Sequence, residues 1–317
     1  MNKQKGFSLL EIFIALAIGI FLLGGVISIF SGMRATSNET SRYGSMQETG
    51  RFAISVLTDD LMRQGFWGPM YMPLSRSNLL AVPVAPVGEC TGAGLNNGTF
   101  PQLLGHFRTI WGATATTASM MGCITDAKVG SEVLQLKRTI SAPHLGALSP
   151  NTYYLIANRV GGSIITSVDP VPVINDSSNW EYQHHVFYVS EQTVGSNVIP
   201  SLNMQTLGTT ITNEPLIDGV ERIHFMYGVD TDSDGIVNTY LQADDMTMAF
   251  WDNQSNSQII AVKMYVLVRD IDEDFQYENS TVYELGDVTF TAPNDNYRRV
   301  LFSSTVALRN GGVEIWE

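Results

Sequence analysis

Charged residues, basic ones in particular, and cysteines are scarce in this 317-residue sequence. Asp, Glu, Lys and Arg make up 15% of it, and 31 acidic residues against 18 basic ones give a net charge of −13. Surfaces that bind nucleic acid are basic, so this balance gives no indication of direct nucleic-acid binding. Internal repeats and low-complexity tracts are also missing, and the chain is long enough to bury a full hydrophobic core.

Motifs of the common catalytic sites are missing as well. The sequence has no Gly-x-Ser-x-Gly elbow, no HExxH zinc motif and no glycine-rich phosphate loop. His184 and His185 are adjacent, and adjacent side chains of a strand point to opposite faces, so these two cannot easily share a metal ion. We therefore expect that the protein is not an enzyme.

One long apolar run follows a short basic head at the N-terminus. Lys3 and Lys5 precede the run, and Glu11 is the one charged residue among residues 7–30. A helix of this length measures about 36 Å, so it can cross the roughly 30 Å hydrocarbon core of a bilayer with some tilt. The lysines predict that the N-terminus stays in the cytoplasm and that the chain after the run lies outside it.

The candidate cleavage site, between Gly6 and Phe7, comes before the apolar run instead of after it as in a secretory signal. Cleavage there would leave the helix on the protein and create an α-amine on Phe7. A carboxylate in a lipid-facing helix costs on the order of 2.5 to 3.5 kcal/mol, so Glu11 needs a partner. In a stack of identical helices, the new amine could reach the Glu11 of a neighbour. A signal anchor with an accidental glutamate is the alternative.

The tract from Lys5 to Glu11 strongly resembles the type IV prepilin signal. In that family a prepilin peptidase cuts after the glycine and methylates the new N-terminus, which makes Gly6 and Phe7 the expected processing residues. The family's glutamate at the fifth mature position registers the subunits during assembly, and Glu11 occupies that position. The resemblance implies a single-pass protein of the bacterial inner membrane with a periplasmic C-terminal body, which later enters a pilus at the cell surface.

Beyond the span, the helix is predicted to continue. Apolar and small residues recur at spacings of three and four as far as Leu61, and the charged Arg51, Asp59 and Asp60 are predicted to lie on the other faces of the helix. The helix is predicted to end at Gly65, where a segment that contains glycine and proline begins. The expected regions are a leader at 1–6, a transmembrane and assembly half-helix at 7–30, an amphipathic half-helix at 31–66 and a periplasmic β-rich body at 67–317.

Seven runs rich in Val, Ile, Tyr, Phe and Thr are predicted to be strands. They cover residues 132–139, 152–157, 163–168, 185–190, 220–229, 258–269 and 297–309. A long helix followed by many strands predicts an α+β fold, the pilin fold with insertions, in which the amphipathic half-helix packs on an antiparallel sheet. Residues 69–101 contain five of the twelve prolines and are predicted to form an irregular surface excursion.

Cys90 and Cys123 are the two cysteines of the chain. They lie in the part that the lysines place outside the cytoplasm, where disulfides persist, so we expect them to form one. Two free thiols are the alternative.

Residues 230–238 have the oxygen pattern of a calcium-binding loop. Carboxylates stand at positions one, three and five, a turn-forming glycine at six, a backbone carbonyl at seven and an amide at nine, as in the first part of an EF-hand. The predicted Ca²⁺ ligands are Asp230, Asp232, Asp234, the carbonyl of Ile236, and Asn238. Position twelve is Leu241 instead of a bidentate glutamate, so we expect weak binding completed by Asp244, Asp245 or water. An acidic turn without an ion is the alternative.

Further tracts extend the resemblance towards the C-terminus. They look like the PilW branch of the minor type IV pilins and lie at residues 50–53, 60–68, 227–230 and 298–310. This branch implies a role in priming pilus assembly and a place in the tip complex, together with other minor pilins, the major pilin and a PilY-type adhesin. Whether the pilus serves twitching motility, cell adhesion or DNA uptake stays open.

Two other interpretations remain open. A pseudopilin of a type II secretion system has the same head, although the large capping pseudopilin generally lacks the glutamate that Glu11 supplies. A membrane-anchored periplasmic enzyme or receptor is the third interpretation, and a cofactor or catalytic pair in the body would favour it. The neighbouring genes, for a pilus or for secretion, would separate the first two.

Overall fold

The computed structural model describes Gly6 and residues 8–195, 197–254 and 256–308. The rest of the predicted leader, Phe7 of the predicted processing site and the last residues of the 298–310 tract lie outside these described residues. The chain forms two compact units, residues 1–47 and residues 48–317. Helix α1, Leu9–Arg63, contributes residues to both.

The first part of α1 is the apolar run. Among the described residues, α1 is the one helix long and apolar enough to cross a membrane. In the unit of residues 1–47, its large apolar side chains are exposed from Leu9 to Met33. A continuous apolar surface of this kind is suited to contact with lipid or with other apolar helices.

The end of α1 is set by a glycine. Gly65 has a φ of +68°, in the left-handed region that a glycine adopts without strain. Its N–H donates to the carbonyl of Lys137 at 2.9 Å, which ties the turn to the body. The helix therefore ends at the stop that the sequence predicts.

Thirteen strands lie in the described part of the body. They are β1 Ile110–Thr114, β2 Glu132–Thr139, β3 Tyr153–Ala157, β4 Gly162–Thr166, β5 Ser178–Val194, β6 Asn197–Thr206, β7 Thr212–Asp218, β8 Val220–Asp230, β9 Thr239–Gln242, β10 Gln258–Arg269, β11 Val282–Leu285, β12 Val288–Thr291 and β13 Arg299–Ala307. A short helix, α2, covers Met248–Trp251, and 3-10 turns cover Arg76–Asn78 and Ala243–Asp245.

The strands form two sheets and a separate hairpin. The first sheet has the order β1-β2-β5-β3-β4, and β6 pairs with β5 and with β7. The second sheet has the order β13-β10-β8-β9, and β11 pairs with β12. Each of these strand pairs is antiparallel. The predicted α+β fold, a long apolar helix with an antiparallel body, is confirmed.

The part of α1 in the unit of residues 48–317 packs on the body. Ala53, Leu57 and Leu61, spaced by four residues, are completely buried. Gly50 faces the Phe302 ring of β13, and a Cβ added to Gly50 would come within 2.1 Å of that ring. The lack of a side chain at Gly50 therefore allows the helix to lie close to the second sheet.

One carboxylate of α1 is buried against the first sheet. Asp60 accepts hydrogen bonds from Nε of Arg138 on β2 and from Nδ1 of His185 on β5, the second at 2.8 Å. Burial raises the pKa of Asp60, but the charge and hydrogen bonds of His185 and Arg138 outweigh it and leave the pKa below its usual value. The prediction that Asp60 lies away from the buried face is wrong, because β2 and β5 cover that side of the helix.

The excursion of residues 69–101 is irregular, as predicted, but it is not confined to the surface. Leu74, Leu79 and Phe100 are buried in a hydrophobic cluster with residues of β3, β4 and β5. Phe100 lies 4.8 Å from Tyr153 of β3, centroid to centroid. The excursion therefore supplies part of the hydrophobic core, and its description as a surface segment is wrong.

The predicted disulfide is confirmed. Cys90 and Cys123 are bonded, and their Cα atoms lie 4.9 Å apart. The bridge ties the excursion to the turn around residue 123. Gln135 of β2 adds a second tie, because its side-chain amide donates to the carbonyl of Cys90 at 3.3 Å.

Replacing Cys90 and Cys123 together by serine should lower the free energy of unfolding by at most about 3 to 4 kcal/mol, the loop-closure entropy for a separation of 33 residues. Helix and strands should persist, because neither depends on the bridge. Urea unfolding of both proteins, followed by far-UV circular dichroism, measures the difference. Alkylation of both thiols in native, unreduced wild-type protein would contradict the bridge itself.

Candidate functional site

The predicted calcium ligands lie in the loop that joins β8 to β9. Asp230 is the last residue of β8 and is buried, whereas Asp232 and Asp234 in the loop are exposed. One carboxylate oxygen from each of the three lies within 4.8 Å of those of the other two. Three carboxylates this close repel one another, and a cation between them would remove that repulsion.

Backbone hydrogen bonds to Asp230 shape the loop. Its Oδ1 accepts from the N–H groups of Asp232 at 3.1 Å and Ser233 at 2.7 Å, and its Oδ2 accepts from the N–H of Gly235 at 2.8 Å. Gly235 has a φ of +78°, so the turn requires glycine at position six. Desolvation raises the pKa of Asp230, but the hydrogen bonds from Gly235, Asp232 and Ser233 outweigh it and leave the pKa below its usual value.

The other predicted ligands differ in position. Oδ1 of Asn238 accepts from the Thr231 N–H at 2.6 Å and from the Thr231 hydroxyl at 3.2 Å, so both lone pairs of this oxygen already serve to close the loop. The Ile236 N–H donates to Asp234 at 2.7 Å. In the described residues, the cluster of converging carboxylates comprises Asp230, Asp232 and Asp234, without Asp244 or Asp245. The oxygens present fit a hard cation, with water left to complete the shell.

Asp244 and Asp245 have other partners. Asp244 accepts a hydrogen bond from the Thr114 hydroxyl of β1 at 2.9 Å, and Asp245 accepts one from the Gln242 amide at 3.0 Å. They belong to a 3-10 turn after β9.

The second predicted site is at the start of α1. Glu11 is exposed in the first turn of the helix, and its Oε2 accepts a hydrogen bond from the Ser8 N–H at 2.9 Å. Gly6 is exposed, and a Cβ added to it would meet no described atom within 4 Å. Packing within the described chain therefore gives no reason for glycine at this position.

The two histidines point away from each other, as predicted for a strand. The ring nitrogens of His184 lie 2.8 Å from Nε2 of Gln135 and 3.2 Å from the hydroxyl of Thr99, and His185 pairs with Asp60. Each side chain is buried and has a structural partner, so neither contributes to a metal site with the other.

The C-terminal tract that supports the resemblance has a structural role. Arg299 of β13 donates to both carboxylate oxygens of Glu221 on β8, at 2.5 and 3.0 Å, and to Asp295 at 2.6 and 2.7 Å. The hydrogen bonds and charges of these carboxylates raise the pKa of Arg299 despite its burial. Sequence reasoning missed this network, because strand pairing brings together residues that are far apart in the chain.

A long apolar helix with a carboxylate in its first turn, followed by antiparallel β-sheets, is consistent with an α+β pilin-like fold. Comparison with family models agrees: the model of the Type IV Pilus-assembly protein W, PilW, matches residues 186–310, and the prokaryotic N-terminal methylation motif matches residues 1–27. These two matches support a type IV pilin that resembles PilW. No curated protein and no solved structure was found to match.

These families are structural subunits of pili and not enzymes. The methylation motif implies processing by prepilin peptidase and interaction with other pilus components. The apolar helix and the motif together fit anchoring in a membrane followed by incorporation into a pilus.

Proposed function

We propose that this minor pilin primes assembly of a type IV pilus and belongs to its tip complex. Prepilin peptidase would remove residues 1–6 and methylate Phe7. The body would face the periplasm before assembly, and the mature subunit would then contact other minor pilins, the major pilin and a PilY-type adhesin at the tip. The observation that carries the proposal is the match to PilW over residues 186–310 of the body, in a chain whose residues 1–27 match the methylation motif.

Deletion of the gene tests this function. A priming subunit acts before elongation, so its loss should reduce the number of pili per cell strongly, and the wild-type gene should restore it. Electron microscopy of negatively stained cells gives the count, and immunogold labelling of the restored pili should mark their ends. Normal piliation with impaired protein secretion would instead support a type II secretion pseudopilin.

Glu11→Ala should be cleaved normally and reach normal membrane abundance, but it should enter pili poorly. The neutral helix loses the attraction between its carboxylate and the N-terminal amine of a neighbouring subunit. Immunoblots of membranes and of sheared pili measure the two pools. Glu11→Asp, which keeps the charge, is the matched control and should retain more pili than Glu11→Ala. Wild-type incorporation of Glu11→Ala would show that contacts of the body suffice.

We also propose that the β8–β9 loop binds Ca²⁺ through Asp230, Asp232, Asp234 and the oxygens of Ile236 and Asn238. The convergence of three carboxylates and the glycine at position six support this proposal. Since Leu241 replaces the bidentate glutamate, we expect a dissociation constant of about 0.1 to 1 mM, in the extracellular class.

The full-length protein in detergent should melt at a higher temperature in about 5 mM calcium, several times that range, than in chelator. The cation offsets the repulsion among three carboxylates that otherwise loosens the loop. Asp232→Ala should abolish the difference, whereas Asp245→Ala, an acidic residue outside the cluster, should keep it. Equal melting temperatures of the wild-type protein in calcium and in chelator would leave the loop as an acidic turn.

A further inference from the structure

Lys137 of β2 has an amine that is completely buried. Its Nζ donates to Oδ1 of Asn97 at 3.0 Å and to the carbonyl of Arg108 at 2.8 Å, and it lies 4.7 Å from the centre of the Phe107 ring. In the part of the chain that the structure describes, Lys137 forms no ion pair within 4 Å. A buried ammonium without a paired anion is unfavourable, so the neutral amine is favoured here.

Electrostatics around the amine act in the same direction. Burial lowers the pKa of Lys137 well below its usual value; the carboxylate of Glu89 raises it in part, and the guanidinium of Arg108 lowers it further. A desolvated lysine that has lost its proton carries a free electron pair and is a nucleophile.

The group in front of this nucleophile is a carboxamide. Asn97 is buried, and its Nδ2 donates to the carbonyl of Ala93 at 3.0 Å, which holds the plane of the amide. Since the carbonyl carbon lies about 1.2 Å from its oxygen, Nζ of Lys137 is at most about 4.2 Å from Cγ of Asn97. A shift of about 1 Å brings the two atoms to the 3 to 3.5 Å of a near-attack arrangement.

A carboxylate stands beside the pair. Oε1 of Glu89 accepts a hydrogen bond from the Thr99 N–H at 2.5 Å. The same oxygen would lie 2.7 Å from a Cβ on Gly98, the residue that follows Asn97. Glu89 precedes the disulfide-bonded Cys90, so the bridge helps to hold it in place. Glu89 is half-exposed, and its carboxylate oxygens form no ion pair with Nζ within 4 Å, so it would carry a proton between the two nitrogens through a bridging water molecule.

We propose that Lys137 and Asn97 form an intramolecular isopeptide bond, with Glu89 as the proton carrier. The electron pair of neutral Nζ attacks Cγ of Asn97, and the Nζ–Cγ bond forms. A proton passes from Nζ to Glu89 and from Glu89 to Nδ2, the Cγ–Nδ2 bond breaks, and ammonia leaves. The product is a secondary amide between the two side chains, and Glu89 returns to its starting state. The reaction needs no oxidant, reductant or other co-reactant.

Mass spectrometry of the full-length protein, purified from membranes in detergent and reduced, tests the bond. After allowance for leader removal and methylation, the expected mass is lower than that of the sequence by one ammonia. Trypsin should fail to cut after Lys137 and should release a branched peptide that contains both Asn97 and Lys137. A mass equal to that of the sequence, together with tryptic cleavage after an unlinked Lys137, would overturn the proposal.

Variants assign the roles. Asn97→Ala and Lys137→Arg should each restore the full mass, and Glu89→Gln should leave most molecules unlinked although both reacting side chains remain. Lys263, whose Nζ lies 4.5 Å from the Tyr240 ring centre, is the internal control and should be found only in linear peptides. Complete linkage in Glu89→Gln would remove Glu89 from the mechanism. If a variant fails to fold, the wild-type mass alone still decides whether the bond exists.

Discussion

Asp60→Ala should destabilise the body by about 3 to 5 kcal/mol, the usual result of removing one partner from a buried ion pair. The substitution leaves the guanidinium of Arg138 and the ring of His185 buried without their shared carboxylate. Urea unfolding of the full-length protein in detergent at neutral pH, followed by tryptophan fluorescence, measures the loss.

The neighbouring Asp59 provides the control. It pairs with Arg63 at 2.6 Å, but both side chains are about half exposed. Asp59→Ala should therefore change the free energy of unfolding by only about 0.3 to 0.5 kcal/mol. Equal effects of the two substitutions would contradict the buried network.

The contribution of Asp60 also depends on pH with a definite sign. Its pKa in the folded protein is below the ordinary value of about 4, so the unfolded chain takes up the proton first as the pH falls. The stabilisation is complete above about pH 4 and is lost as the pH falls through the lower, folded pKa. The stability difference between wild type and Asp60→Ala should shrink across that acidic range.

Replacing Gly6 by alanine or a larger residue should leave the lysine-containing leader attached, and pili that contain the subunit should be lost. A side chain at Gly6 meets no described atom of this chain, so the effect must arise where the peptidase accommodates the residue before the scissile bond. N-terminal sequencing should start at methylated Phe7 in the wild type and at the uncleaved leader in the variant.

Gly19→Ala is the matched control for Gly6. A Cβ added to Gly19 in α1 would also meet no described atom within 4 Å. Gly19 lies beyond the cleavage site, so its substitution should leave processing unchanged. Recovery of an intact Lys3 on assembled wild-type pili would exclude the proposed processing.

The regular parts of the fold were predictable because their signals are local. The apolar run, the spacing of Ala53, Leu57 and Leu61 and the stop at Gly65 together define α1. Strands β2 and β10 match the predicted runs 132–139 and 258–269 in full.

Strands β1, β6, β7, β9, β11 and β12 were not predicted. Pro200 in β6 and Pro215 in β7 lower the strand signal, and β7 lies at the edge of the sheet, where proline is tolerated. The short strands β9, β11 and β12, of four residues each, depend on pairing partners that periodicity does not reveal.

The candidate sites show the same division between local and distant contacts. The converging carboxylates of Asp230, Asp232 and Asp234 follow from their spacing in one turn. The pairing of Asp60 with Arg138 and His185 could not be predicted, because 78 and 125 residues separate the partners and only the packing of α1 on the first sheet brings them together.

The position of β13 has a consequence for the order in which the protein can be completed. A chain emerges from the ribosome N-terminus first, so α1 can already be in the membrane while β13 is still being made. Until Arg299–Ala307 arrives, β10 has an open edge and Gly50 lacks the ring of Phe302. An open edge is a template for pairing with a foreign strand. Folding of the second sheet therefore waits for β13, and a chain truncated before β13 is exposed to aggregation and proteolysis.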